Sequence, residues 1–194
     1  MPDNQTLILC PFKAEAKLLA AIIQGCRSVG ANTWQFACGS ILTWNSAGKA
    51  PMLKFLSTLT GLSDYKKIIL FGAAGALDPV LDVGQIFVCT PVQYKQQKLQ
   101  INAMSGLPVA AQITVDEPIL SKEKRESLFF ETGAAIVDME SFFFVQALLP
   151  QNNNIAAIRF VSDTAQIPFA VPFSADIKQR FESSRKSILT FLKA

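Results

Sequence analysis

The chain has 194 residues, with 18 Lys and Arg against 15 Asp and Glu, and no histidine. Half of it is hydrophobic and 17% is charged, which fits a packed core and not a disordered chain. Without histidine there is no Ser-His-Asp triad, no Cys-His dyad, no HExxH zinc site and no imidazole base; chemistry falls to carboxylates, Lys, Arg, Tyr, Cys, hydroxyls or backbone dipoles.

Thr6–Cys10 is a short apolar run that predicts a first buried strand, ended by Pro11. Ala14, Leu18, Leu19, Ile22 and Ile23 then recur at helical spacing, with Lys13, Lys17 and Gln24 opposite, up to a stop near Gly25. Trp34–Trp44 predicts two short strands around Gly39-Ser40, and Gly48–Leu59 a second helix. Lys67–Phe71 is the most strand-like run and leads into a glycine cluster, Gly72-Ala73-Ala74-Gly75. Gln85–Thr90 predicts another strand, and Val92–Ile101 an edge strand or ribbon. Asn102–Pro118 carries little signal.

Ser121–Thr132 predicts a helix capped by Ser121, with Lys124, Arg125 and Glu131 toward water. Ala135–Val137 predicts a short strand, Met139–Leu149 a nearly all-apolar helix, Ile155–Val161 a strand and Ser174–Leu192 a closing amphipathic helix. Strands alternate with helices, and the strands are continuous apolar runs, as expected where helices cover both faces of a sheet. The reading is α/β: one three-layer α/β/α domain over residues 1–194 around a central mixed sheet.

The small positive charge argues against nucleic acid, since the densest basic stretch, Lys178–Lys186, is broken by Glu182 and reads as a solvated helix. Cys10, Cys26, Cys38 and Cys89 form no CxxC pair. Cys10, Cys38 and Cys89 sit in apolar strand-like runs and read as small buried hydrophobes, and a reducing, cytoplasmic compartment fits. Met1–Thr6 lacks the basic-then-apolar order of a signal peptide, and no uninterrupted apolar stretch of ~20 residues predicts a membrane span.

Ligands in such sheets bind at the carboxyl ends of the strands. Four strand ends carry unusual residues here: Lys13-Ala14-Glu15, Gly72–Ala76, Asp138-Met139-Glu140-Ser141 and Ser162-Asp163-Thr164-Ala165. The glycine cluster is neither GxGxxG nor a Walker A loop; its small residues suit tight packing or the close approach of a ligand. Taken singly, Glu15 fits a solvated helix start, Glu140 an answer to a helix dipole and Asp163 a helix cap or turn. Arg159 lies four residues before Asp163, so regular alternation puts both on one strand face.

Taken together, GAAGALDPVLDVGQ, VDMES and RFVSDTA resemble the purine/uridine phosphorylase superfamily, which includes the methylthioadenosine/adenosylhomocysteine nucleosidases. The resemblance runs from about Leu7 to the last helix and is nearest to the hopanoid-associated phosphorylase-like group. It implies an enzyme that cleaves the N-glycosidic bond of a purine-type nucleoside, such as a methylthioadenosine-like or other 5′-substituted adenosine. By the resemblance, Asp163 is the acid for purine N7, oriented by Ser162. Glu140 accepts from the ribose 2′ and 3′ hydroxyls, Met139 packs on the sugar, and Gly72, Ala73, Ala74 and Gly75 border the substrate.

The resemblance also makes Glu15 the base that activates water. The chain lacks the arginine that phosphorylases often carry after the first strand, which favours hydrolysis over phosphorolysis. Arg159 and Lys13 are left as anion-binding or structural groups. No metal and no cofactor are implied, with phosphate a co-substrate only if the enzyme is a phosphorylase. The absent histidine leaves the 5′ side apolar, with Phe12, Phe142 and Phe169 as lining residues. A homodimer or higher homo-oligomer is expected from the family and the apolar composition. A non-catalytic nucleoside-binding relative is the remaining alternative, because the chain is short between Val92 and Asp138.

Overall fold

The computed structural model of the chain describes residues 5–101, 106–167, 179, 181–182 and 184–193. Ten strands are described: β1 (Thr6–Cys10), β2 (Arg27–Gly30), β3 (Thr33–Phe36), β4 (Gly39–Thr43), β5 (Lys67–Ala76), β6 (Ile86–Tyr94), β7 (Gln97–Leu99), β8 (Val109–Thr114), β9 (Ile136–Asp138) and β10 (Ile155–Asp163). The described helices are α1 (Lys13–Ile22), α2 (Lys49–Leu56), α3 (Lys122–Thr132), α4 (Ser141–Leu148) and α5 (Arg185–Lys193). The strands form one mixed sheet in the order β10-β6-β8-β9-β5-β1-β4-β3-β2, with β7 on β6. Strand β10 also pairs with β5 in parallel, so β5, β10, β6, β8 and β9 close into a ring at one end.

Two hydrophobic cores sit on opposite faces of this sheet, and the strands sort their side chains between them with period two. Leu7, Leu9, Ile68 and Leu70 pack with Met52 and Leu56 of α2 and with Phe142, Phe143, Phe144 and Leu148 of α4. Ile8, Cys10, Ile69 and Phe71 pack with Ala16, Leu19 and Ile22 of α1 and with Ile188 and Leu192 of α5. This is the three-layer α/β/α arrangement, and the continuous apolar strand runs follow from burial on both faces. A third, smaller cluster joins Leu77, Ile113, Ala134 and Val137 to Leu128 and Phe129 of α3.

Several expectations need correction. The glycine cluster is not a loop after a strand: β5 continues through it to Ala76, because Arg159–Val161 of β10 pair with Gly72–Ala74. Strand β6 runs to Tyr94, past the expected stop at Thr90. Strands β2 and β8 carried no readable run; β2 is exposed along its length, and β8 lies in the poorly marked stretch before Pro118. Cys38 lies in the turn between β3 and β4, not in a strand, whereas Cys10 and Cys89 are buried. All four cysteines are free thiols. Phe169 and the first residues of the expected closing helix, Ser174–Lys178, lie outside the described residues. Among the described residues, no helix is long and apolar enough to cross a membrane.

Candidate active site

The strand ends surround a cavity of about 440 Å³. Of the sequence-predicted residues, Glu15, Ala73, Ala74, Gly75, Met139, Glu140, Ser162 and Asp163 line it, while Gly72, Arg159 and Lys13 do not. Phe12 borders the cavity at its half-exposed mouth. Phe142 is a correction: it is buried within α4, its ring tilted against Tyr94 and edge-on to Phe143, and it does not line the cavity.

Glu15 stands in the first turn of α1, where the helix dipole favours a carboxylate. Its Oε2 accepts from the Phe12 N–H at 2.8 Å and its Oε1 from the Ala73 N–H at 2.9 Å, so α1 and β5 fix it from two directions. The residue is 2% exposed. Burial pushes its pKa up from 4.5 to about 7, against the pull of those two N–H donors and of Arg159. Gly72 lies beneath it. A Cβ there would fall 2.5 Å from Arg159 Nη1 and 3.0 Å from Glu15 Oε1, so the glycine makes room for site side chains and not for a ligand.

Glu140 precedes α4. Its Oε1 accepts from the Gly48 N–H at 2.6 Å, and its Oε2 accepts from Arg159 Nη2 at 3.2 Å. Arg159 is fully buried and also reaches Asp138 Oδ2 and, through Nε, Ser141 Oγ at 3.1 Å. Asp138 in turn accepts from the Ser141 N–H and hydroxyl at 2.9 and 2.7 Å and from Thr114 Oγ1 at 2.7 Å. The network pins the start of α4 to β8, β9 and β10. Burial pushes the Glu140 pKa up, with Asp138 adding to the shift and Arg159 opposing it. Burial disfavours the Arg159 charge, yet the facing carboxylates prevail and its pKa is raised.

At the far end of the cavity, Ser162 donates to Asp163 Oδ1 at 2.5 Å, and Arg125 Nη2 forms an ion pair with Asp163 Oδ2. Arg125 corrects the expectation that it faces water: it is 4% exposed. Its Nε donates to the Ile119 carbonyl and its Nη1 to the Ala76 carbonyl, each at 3.0 Å. The signal was in the sequence, because Leu128 and Phe129 follow Arg125 by three and four residues and so share its helix face. Asp163 does not continue the alternation from Arg159. A register shift between Val161 and Asp163 interrupts β10, so Arg159 meets the start of α4 and Asp163 meets α3.

No protein-family model matches the chain, and no curated protein matches it. Solved structures do. The nucleosidase MTAN of Chlamydia trachomatis bound to MTA shares 17% identity at a TM-score of 0.70, covering 97% of this chain and 93% of that one. The 5′-methylthioadenosine/S-adenosyl homocysteine nucleosidase of Helicobacter pylori, complexed with a pyrrolopyrimidine-pyrrolidinol, shares 15% at 0.74, covering 100% and 99%. Futalosine hydrolase of Helicobacter pylori shares 15% at 0.73, covering 98% of each chain. The chain thus has the nucleoside phosphorylase/nucleosidase fold. Within that fold it is similar to MTA/SAH nucleosidases and futalosine hydrolase.

Proposed function

We propose that this protein is a nucleosidase that hydrolyses the N-glycosidic bond of a purine-type, 5′-substituted nucleoside such as a 5′-substituted adenosine. The observation that carries the reading is the convergence of Glu15, Glu140 and Asp163 on one cavity, with the Glu15 pKa near 7. A base poised at neutrality can take a proton from water as that water adds to the sugar carbon. Glu140 is placed to accept from ribose hydroxyls, and its charge would stabilise the cationic sugar that forms as the bond breaks. Asp163 and Ser162 would face the departing base, and Met139 the sugar. The fold's neighbours include one bound to MTA and one bound to adenine, which supports a nucleoside as the substrate.

Hydrolysis is favoured over phosphorolysis by charge. Arg125 is the one cation among the described residues that line the cavity, against Glu15, Asp138, Glu140 and Asp163, and it is committed to Asp163. A phosphate dianion would meet mostly carboxylates. Phosphorolysis keeps one supporting observation: Arg159 Nη1 is buried without a partner beside Gly72.

The assay is product analysis on a nucleoside panel with and without phosphate. Free sugar and base at a rate indifferent to phosphate is expected; strict phosphate dependence with a sugar 1-phosphate product would overturn hydrolysis. We also propose a homodimer in a reducing cytoplasmic setting. Leu120 at the cavity mouth, 76% exposed, and the free thiols support this; light scattering at the monomer mass would count against the dimer.

A further inference from the structure

We propose that Asp138 is a positioning residue for the reaction: it anchors the Arg159 guanidinium from behind and so holds that cation off Glu15, which stays free to take a proton from water. This rests on the nucleosidase reading and gives a part in it to a carboxylate whose own oxygens are turned away from the cavity.

Arg159 faces more carboxylates than it can pair with, and its geometry chooses among them. Its Nη2 pairs with Asp138 Oδ2 and stands 3.2 Å from Glu140 Oε2. Its Nε donates to Ser141 Oγ at 3.1 Å, and the Ser141 hydroxyl donates to the same Asp138 Oδ2 at 2.7 Å. Two of the three guanidinium nitrogens are therefore turned to Asp138, one directly and one through a hydroxyl. The third, Nη1, is buried with no partner among the described residues. It and Glu15 Oε1 flank the Cβ position that Gly72 leaves empty, at 2.5 and 3.0 Å from it. Glu15 takes its hydrogen bonds from the Phe12 and Ala73 N–H groups instead, so a cation stands beside the base without pairing to it.

Asp138 is itself braced. Its Oδ2 also accepts from the Ser141 N–H at 2.9 Å, and its Oδ1 accepts from Thr114 Oγ1 at 2.7 Å, which in turn accepts from the Phe142 N–H at 2.9 Å. The side chain is 1% exposed. Asp138 thus acts through Arg159 and not on the ligand.

A carboxylate paired with a guanidinium is a weak base, because the pairing favours its charged form. With Arg159 anchored on Asp138, burial prevails at Glu15 and its pKa stands at about 7. The titratable and charged groups facing Glu15 are Arg159 of β10, Glu140 before α4 and Cys10 of β1. Those facing Arg159 are Asp138, Glu140, Glu15 and Cys89 of β6. Burial pushes both thiol pKa values up and keeps the thiols neutral, so the carboxylates and the guanidinium set the balance.

The test is the pH dependence of kcat/KM for a 5′-substituted adenosine in wild type, Asp138→Asn, Arg159→Lys and Thr114→Val. Asn keeps the shape of Asp; with its oxygen toward Ser141 and Arg159 and its amide toward Thr114 Oγ1, it removes the charge and keeps the contacts. The guanidinium is then drawn to Glu140 and Glu15, and the midpoint of the acid limb should fall by about half a unit or more. In Arg159→Lys a single ammonium on a shorter arm stays with Asp138, no nitrogen is left toward Glu15, and the midpoint should rise. Thr114→Val removes a hydrogen bond to Asp138 but no charge, and should leave the midpoint in place. A merely structural Asp138 would lower rate or stability with the midpoint unmoved in Asp138→Asn, which overturns the proposal, as does an equal shift in Thr114→Val. Should Asp138→Asn fail to fold, Arg159→Lys decides by sign: a fall or no change overturns the proposal. A wild type that cleaves no nucleoside, with or without phosphate, sinks the nucleosidase reading and this inference with it; an active wild type whose midpoint neither charge variant moves sinks this inference alone.

Discussion

The two ends of the cavity are charged differently. At one end Glu15, Glu140 and Asp138 surround Arg159, three carboxylates to one guanidinium, all nearly or fully buried. At the other, Asp163 faces Arg125 one to one. Burial raises the pKa of Glu15 and Glu140, with a smaller push from the neighbouring carboxylates and against the pull of Arg159, and the surplus of negative charge suits a group that becomes cationic. A matched pair suits a flat, neutral ring with a donor and an acceptor on its edge. Under the proposed function, the surplus of buried negative charge would face the sugar and the balanced pair would face the base, and the two ends are called the sugar end and the base end on that reading.

The largest expected effect tests that division at the sugar end. Glu15→Gln should lower turnover by ~10²–10⁴-fold, the range for loss of a general base. In the wild type, kcat/KM should rise with pH through about 7, because Glu15 must shed its proton to act; in the variant the rise should vanish. A wild-type profile flat from pH 5 to 9 would remove Glu15 from the role.

A second comparison sets one arginine against the other. Removing one partner of a buried ion pair costs roughly 3–5 kcal/mol. Arg159→Met strands Asp138 and Glu140 together, whereas Arg125→Met strands Asp163 alone. Urea unfolding should therefore show the greater loss for Arg159→Met. Equal losses would break the claim that the two ends differ in charge balance.

The smallest effect is a stability trend. The folded-state pKa of Glu15 lies above its ordinary value, so its contribution is complete below about 4.5 and is lost as pH rises through about 7. The wild type should lose about 1 kcal/mol between pH 6 and 7, seen as ~2–4 °C in Tm, and Glu15→Gln should flatten that slope. A wild-type Tm that climbs over this interval would contradict the assigned shift.

The sugar end was the more legible in sequence. Glu15, Met139 and Glu140 each follow an apolar strand run within a few residues, so strand-end logic and the VDMES motif locate them together. The base end was half legible. Asp163 announced itself, but Arg125 sits in Lys-Glu-Lys-Arg-Glu, where one buried cation looks like its solvated neighbours unless its phase to Leu128 and Phe129 is counted. Glycine composition misled differently: Gly72 and Gly75 read as a loop, because period and composition do not show that a neighbouring strand pairs alongside and that side chains cross above. The same limit hid β8, whose middle residue Gln112 is buried with its amide unpartnered, and β2, which has no buried residue to mark it.

The irregularity in β10 has a geometric consequence. Arg159 stands opposite Gly72 of β5 and Asp163 opposite Gly75, so four residues of one strand advance against three of the other. A strand rises ~3.3 Å per residue, and the extra residue, Ser162, both shortens the reach of β10 by about one such step and rotates Asp163 onto a different bearing from Arg159. Strand β10 thus works as a caliper with a twisted jaw: the stretch from Arg159 to Asp163 sets how far apart the two charged ends of the cavity stand, and its single extra residue sets the angle between them.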